Sequence, residues 1–368
     1  MPPFDPPSWA YGRGRATVKR RQEGILAGVE PSEEAADVTS PHLGLPTVDA
    51  ALEAAVTGGL EEVEARLAEA VKSDDELVGP ALRHLVAAGG KRFRPMLALV
   101  AGQFGDPDAP GVVRSAVVVE LTHVATLYHD DVMDEAPVRR GAPSANARWG
   151  NSVAILTGDF LFARASQIAA DLGTESVRIQ ARTFERLVQG QLRETIGPRE
   201  GENPVAHYLG VLADKTASLI ATSARLGALH AGASDDVVDT LARYGERIGM
   251  AFQLADDLLD IASESIVSGK TPGTDLREGV STLPMLYARG STDPADWRLR
   301  ELLSGPLPDA GRHAEALELL RAHPAMADAR REVQRWADDA RSVLEPLPDI
   351  AARRALEAMC DQAVTRTA

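Results

Sequence analysis

Apolar residues recur at spacings of three and four along most of the chain, the period of a helix with one buried face. Over residues 50–72 the stripe is Leu52, Val56, Leu60, Val63 and Leu67. Residues 76–88 form a second such segment, stopped by Gly89-Gly90. Pro95 stands where a further helix can begin, its fixed φ suiting the first turn. Residues 112–134 are apolar enough to predict a central buried helix. Residues 148–171, 175–195, 206–231 and 235–262 predict four more, and 293–366 a set of shorter amphipathic ones. Two stretches read as loops: 136–143, holding Arg139 and Arg140, and 263–281, holding Gly269, Pro272, Gly273 and Gly279. No segment alternates convincingly as a strand. Residues 1–45, rich in Pro, Gly and charge, predict a disordered extension, leaving 46–368 as one all-α domain around one core.

Composition narrows the function. Leu, Ala and Val abound while aromatics make up 4%, which favours helices over β-sandwiches. A formal net charge of −15 argues against nucleic-acid partners. Anionic phosphates could bind such a chain only through metal ions or a local basic patch. Cys360 is the single cysteine, so there is no disulfide framework and no thiolate metal site. This fits a reducing, cytoplasmic setting. No apolar run is read as a membrane span, and the N-terminus, with a basic stretch at 13–21, lacks a signal-like apolar core.

Two acidic clusters stand out. His129-Asp130-Asp131-Val132-Met133-Asp134 ends one predicted helix, and Asp256-Asp257-Leu258-Leu259-Asp260 ends another. In each, the first and last aspartates are four residues apart and share a helix face, where they repel. Both clusters also meet the negative end of the helix dipole. Oxygen-only ligands in that setting point to a hard cation, magnesium before calcium. Magnesium keeps waters and completes its shell with substrate phosphate. One such string is weak evidence; two on long apolar helices are much less expected by chance.

Cations complement them. Gly89-Gly90-Lys91-Arg92-Phe93-Arg94-Pro95 sets three on a glycine turn, where the backbone can approach an anion and Arg forks match phosphate oxygens. Arg139-Arg140-Gly141 follows the first acidic cluster, Lys215-Thr216 lies within a predicted helix, and Lys270 follows the second cluster. Each alone reads as a solvated surface cation; together they balance two diphosphates. The chain carries no Walker A string, no dinucleotide fingerprint after a strand, no zinc-protease His pair and no nucleophile elbow.

With these residues in order, the chain resembles the trans-isoprenyl diphosphate synthases. The motifs are GGKRFRP at 89–95, HDDVMD at 129–134, RRG at 139–141, GQLRE at 190–194, DKTASL at 214–219, FQLADDLLD at 252–260 and GKTPGTDL at 269–276. The resemblance covers roughly 50–360. It implies the isoprenoid synthase fold, a single-domain all-α helical bundle around a deep central cavity, commonly as a homodimer. It implies Mg2+, three ions per active site with substrate bound. Asp130 and Asp134 match the first metal pair, supported by Asp131. Asp256 matches the ligand on the opposite helix, supported by Asp257 and Asp260. Arg139, Lys215 and Lys270 match allylic diphosphate ligands. Lys91, Arg94, His123 and Arg140 match isopentenyl diphosphate ligands. Thr216 and Gln253 match positions facing the reacting carbons and leaving group, and Gln191 and Glu194 match polar positions beside the cation. Two positions depart from the pattern: 279–281 lacks a lysine that many relatives carry, and Gln191 replaces a common glutamate.

The implied reaction joins isopentenyl diphosphate to an allylic diphosphate. Product length is read from Thr122, Ala125 and Thr126, which lie eight, five and four residues before Asp130. Short-chain relatives often place an aromatic residue at one of the last two positions. Each helical residue advances about 1.5 Å, so small residues over two turns leave room for several isoprene units, and the resemblance implies roughly C30 to C50 for a quinone side chain. In the alternative, Ala125 and Thr126 pack against a neighbouring helix and Tyr128, Phe160 or Phe162 closes the cavity, giving a farnesyl or geranylgeranyl product. A terpene cyclase and a non-catalytic regulatory subunit are further readings. The Asp-rich second cluster and GGKRFR disfavour the former; six retained aspartates disfavour the latter. Membrane contact is expected only transiently, as an apolar product leaves.

Overall fold

The computed structural model describes residues 49–73, 75–76, 78–263 and 272–367. The extension predicted at 1–45 and Lys270 lie outside them. The described chain is a stack of helices: α1 Ala50–Ala70, α2 Gly79–Ala87, α3 Phe93–Gly102, α4 Pro110–Met133, α5 Ala145–Trp149, α6 Asn151–Leu172, α7 Thr174–Ile196, α8 Pro204–Leu212, α9 Ser218–His230, α10 Asp235–Ala262, α11 Thr274–Glu278, α12 Leu283–Arg289, α13 Trp297–Leu302, α14 Ala310–Ala322, α15 Pro324–Val343 and α16 Ala351–Thr365.

Local chemistry sets the boundaries. Asp49 caps α1 by accepting the Ala51 and Leu52 N–H groups, and Asn203 and Asp309 do the same for α8 and α14. Proline opens α4, α8 and α15, where its missing N–H costs nothing. The predicted stripe of α1 is buried in full. α4 is central: Ala116, Leu121, Ala125 and Tyr128 pack with Ala154, Leu161 and Ala165 of α6. α10 is the second axis, its Leu241, Tyr244 and Ile248 packing with α9 and α16, and Leu254 and Leu258 with α12 to α15.

Four expectations need correction. The helix expected at 206–231 is interrupted by a π turn at Ala213–Ala217. There α7 crosses closely, a Cβ on Gly190 coming within 2.6 Å of the Lys215 nitrogen. The helix expected at 148–171 is two, divided at Gly150, whose φ of +86° suits glycine. The loop at 263–281 contains α11, bounded by left-handed Gly273 and Gly279. Within 136–143, Val138–Arg139 pairs antiparallel with Ala142–Pro143 as β1 and β2. Arg140 and Gly141 turn the corner at positive φ. Further, α6 is long and apolar enough to cross a membrane by length and composition, contrary to the sequence reading, yet one of its faces packs on α4.

Candidate active site

The aspartate clusters end α4 and α10, as expected, and share one geometry. Successive helical residues are rotated by about 100°, so the middle aspartate points away from the outer pair. Asp131 is fully buried. One of its oxygens accepts Arg139 Nε at 2.6 Å and the other is buried without a partner. Asp257 is also buried and accepts Gln253 Nε2 at 2.8 Å and the Tyr208 hydroxyl. Asp130 and Asp134, like Asp256 and Asp260, keep exposed surface.

Burial raises the Asp130 carboxyl to about 6, with Lys215 opposing and Asp134 adding to the rise. Burial raises Asp257 to about 6 against the pull of its Tyr208 and Gln253 hydrogen bonds. Glu278 of α11 is raised by burial, then by Asp134 of one cluster and Asp260 of the other, so both clusters border one space. The donor set is crowded, partly desolvated carboxylate oxygen, which suits a hard cation. Asp130 with Asp134, and Asp256 with Asp260, are the residues that could hold one. Among the described residues no group of three acidic, His or Cys side chains is arranged to hold a metal ion unaided. A cation here would draw other ligands from water or substrate.

Of the allylic-side candidates, Lys215 lies on the π turn, with Thr216 beside it. Such turns displace side chains from regular helical register and recur at functional sites. Lys215 pairs with Glu194, and Thr216 donates to Gln253 Oε1 at 3.3 Å. Thr216, Gln253, Asp257 and Tyr208 thus form one hydrogen-bonded chain into the second acidic cluster. Gln191 Oε1 is buried without a partner. Arg139 is held on Asp131.

The isopentenyl-side candidates surround the α2–α3 loop. Phe93 stacks on Phe252 of α10 with ring centroids 4.8 Å apart, tying the loop to the second cluster. Lys91 is exposed. Arg94 has a buried Nε with no partner. Burial lowers its pKa, Glu120 opposes, and Arg140 adds to the lowering. His123 is driven well below its usual range by burial and then by Arg94 and Arg140, so its ring is neutral at neutral pH. Arg140 donates to Leu85 O at 2.7 Å and to Gly89 O.

Of the three residues read for product length, Ala125 and Thr122 are each 1% exposed, and Thr126 is half-buried. Ala125 belongs to the α4–α6 seam. Thr126 shares the face of Asp130, one turn below it. Tyr128 is turned toward α2, where its hydroxyl donates to Ala81 O and accepts the Leu85 N–H.

Sequence reasoning missed four participants. Tyr208, Glu278 and Arg366 meet the acidic clusters only through the tertiary fold. Glu120, a lone carboxylate within the apolar run of α4, was a visible signal.

A model of polyprenyl synthetases matches residues 75–320, which span both acidic helix ends and the basic loop. The chain belongs to the polyprenyl synthetase family. It is 52% identical over 88% of its length to a nonaprenyl diphosphate synthase of Mycobacterium tuberculosis, of which it covers 97%. The fold is similar to a geranylgeranyl pyrophosphate synthase of Corynebacterium glutamicum solved with calcium and isoprenyl diphosphate, with a TM-score of 0.79 and 46% identity, covering 87% of this chain and 98% of that one. It is also similar to a decaprenyl diphosphate synthase of Rhodobacter capsulatus, with a TM-score of 0.78 and 34% identity, covering 86% and 99%. As a member of the polyprenyl synthetase family, the protein is a prenyltransferase acting on isoprenyl diphosphates.

Proposed function

We propose that the protein extends an allylic diphosphate by successive additions of isopentenyl diphosphate, makes a long product of roughly C30 to C50 by the open-face argument, and uses Mg2+. The observation that carries the reaction is the convergence of both outer aspartate pairs on one space, with separate cationic groups on either side. Asp130, Asp134, Asp256 and Asp260 would hold the metal. When bound, magnesium neutralises charge on the leaving diphosphate.

The chain's own residues do the rest. Lys215 and Arg139, with Lys270, hold the allylic diphosphate. Lys91, Arg94, His123 and Arg140 hold the isopentenyl diphosphate. Arg94 has an unsatisfied donor for that purpose, and a neutral His123 can donate one hydrogen bond without adding charge. Thr216 and Gln253, fixed by the chain to Asp257, line the space between the two substrates. Gln191 and Glu194 are polar groups beside the developing cation. Asp131 and Asp257 act indirectly, by orienting Arg139 and Gln253.

Long product is favoured by the small, half-buried Thr126 beneath Asp130 and by the nonaprenyl and decaprenyl relatives. The similar geranylgeranyl synthase keeps the shorter product as the second reading. The protein pairs with a second copy through α6 and α7. Leu156 and Ile196 are 66% and 76% exposed, with Ile155, Val188 and Leu192 also uncovered. We assign it to the cytoplasm, with transient membrane contact during product release.

Omitting each component in turn tests the reaction. Turnover should require isopentenyl diphosphate, an allylic diphosphate and magnesium together. Turnover of the allylic substrate alone would support a cyclase.

A further inference from the structure

Glu120 lies ten residues before Asp130 on α4 and is 2% exposed, inside an otherwise apolar stretch. A buried carboxylate is tolerated only when paired. Its partners come from two loops distant in sequence: Arg92 Nη1 at 2.6 Å and Arg140 Nη2 at 4.0 Å. Both arginines have left-handed backbones, with φ of +47° and +53°. Glu135 is the only other such non-glycine residue among the described ones. This conformation is strained for a branched Cα and persists where surrounding contacts over-determine it.

The two guanidinium groups also finish the end of α2. Arg92 donates to Val86 O at 3.0 Å and pairs with Glu64 of α1. Arg140 donates to Leu85 O and Gly89 O and lies so close over Gly90 that a Cβ there would meet the guanidinium at 3.0 Å. Carbonyls at a helix C-terminus favour such cations. Arg92 is therefore committed to the protein, and Arg140 is committed through its Nη1. Lys91 is exposed, and Arg94, with its unpartnered Nε, acts on neutral His123, which is three residues after Glu120 on the same helix.

We propose that Glu120 is the positioning residue of the isopentenyl diphosphate site: its buried carboxylate pins Arg92 and Arg140, and through them holds Lys91 and Arg94 in position for a diphosphate. This rests on the assignment of the 89–95 loop to isopentenyl diphosphate. Without Glu120, Arg92, Arg94 and Arg140 repel one another and the two strained turns lose their common anchor.

The test is steady-state kinetics of the full-length chain carrying Glu120→Gln, which keeps shape and removes charge. KM for isopentenyl diphosphate should rise by about tenfold or more, while kcat and the allylic KM stay within about twofold, since uniform binding alone is lost. Arg92→Gln should show the same pattern, and the double variant should be no worse than either single one. Arg92→Lys, which keeps the charge and loses the fork, serves if Glu120→Gln fails to fold, and it should raise the same KM. Equal losses toward both substrates, or an unchanged isopentenyl KM, would overturn the proposal. Arg94→Gln separates the two ideas. If it raises the isopentenyl KM while Glu120→Gln does not, the loop assignment stands and the positioning role fails. If neither variant does, the loop assignment itself is wrong.

Discussion

Arg366 Nη2 lies 2.7 Å from Asp256 Oδ1, so a guanidinium 110 residues further along the chain sits on the first aspartate of the second acidic cluster. The same group lies 5.2 Å over the Phe252 ring. A cation bound at Asp256 must share or displace it. A partly exposed pair of this kind contributes up to about 1 kcal/mol, a factor of about five in affinity. Arg366→Gln should lower the magnesium concentration for half-maximal activity two- to fivefold on that estimate. A magnesium titration of initial rate checks it; an unchanged midpoint would show that the pair does not compete with the metal.

Asp130 and Asp131 are adjacent in sequence and differ in task. In the proposed role of metal ligand, Asp130 would help stabilise charge that develops in the transition state, so Asp130→Asn should reduce kcat by about a thousandfold or more. Asp131→Asn should cost less, about ten- to a hundredfold, because it loosens Arg139 without removing an outward oxygen. Equal losses would contradict the division between outward and inward aspartates.

Asp130 and Asp257 are both raised to about 6 by burial. A carboxyl whose folded pKa exceeds its unfolded value stabilises the fold fully at low pH and loses that contribution as pH rises through the folded pKa. His123 has the opposite sign: its pKa is lowered, so its contribution is complete above the unfolded value and lost as pH falls. Comparing wild type with Asp130→Asn isolates one carboxyl. In EDTA, the variant should be more stable than wild type at pH 7.5 by about 1 kcal/mol or more, and the gap should shrink below pH 5. Thermal melts at the two pH values read this directly. Magnesium should raise the wild-type Tm more at pH 7.5 than at pH 5.

Thr126 and Ala125 separate two routes for blocking the proposed product channel. Thr126→Phe places an aromatic ring one turn beneath Asp130 on the same face and should shorten the product. Ala125→Phe must also open the packed α4–α6 seam and should lower stability by about 1–3 kcal/mol. Chromatography of the products and a melt of each variant check both. An unchanged product from Thr126→Phe would remove it as a determinant of chain length.

The main helices were legible because their apolar stripes are long and periodic; the stripe of α1 and both ends of α10 are where the pattern places them. The acidic clusters were legible because repelling aspartates at the ends of apolar helices have no ordinary packing role. The π turn at Lys215 was not, since the residue packed against it, Gly190, comes from another helix. Nor were the contacts of Tyr208 and Arg366, which join residues 49 and 110 positions apart. The inward turn of Asp131 and Asp257 follows from helical geometry, yet its meaning depends on Arg139, Gln253 and Tyr208 being there to receive them.

Product sizing tests the central claim most directly. The purified protein is incubated with magnesium, labelled isopentenyl diphosphate and, in parallel, geranyl, farnesyl or geranylgeranyl diphosphate, and the dephosphorylated products are separated by length. Elongation to roughly C30 or beyond is the expected result, given the helical rise beneath Asp130. Folded protein that extends none of the primers would contradict the account, and a stop short of that length with every primer would contradict its reading of Thr126.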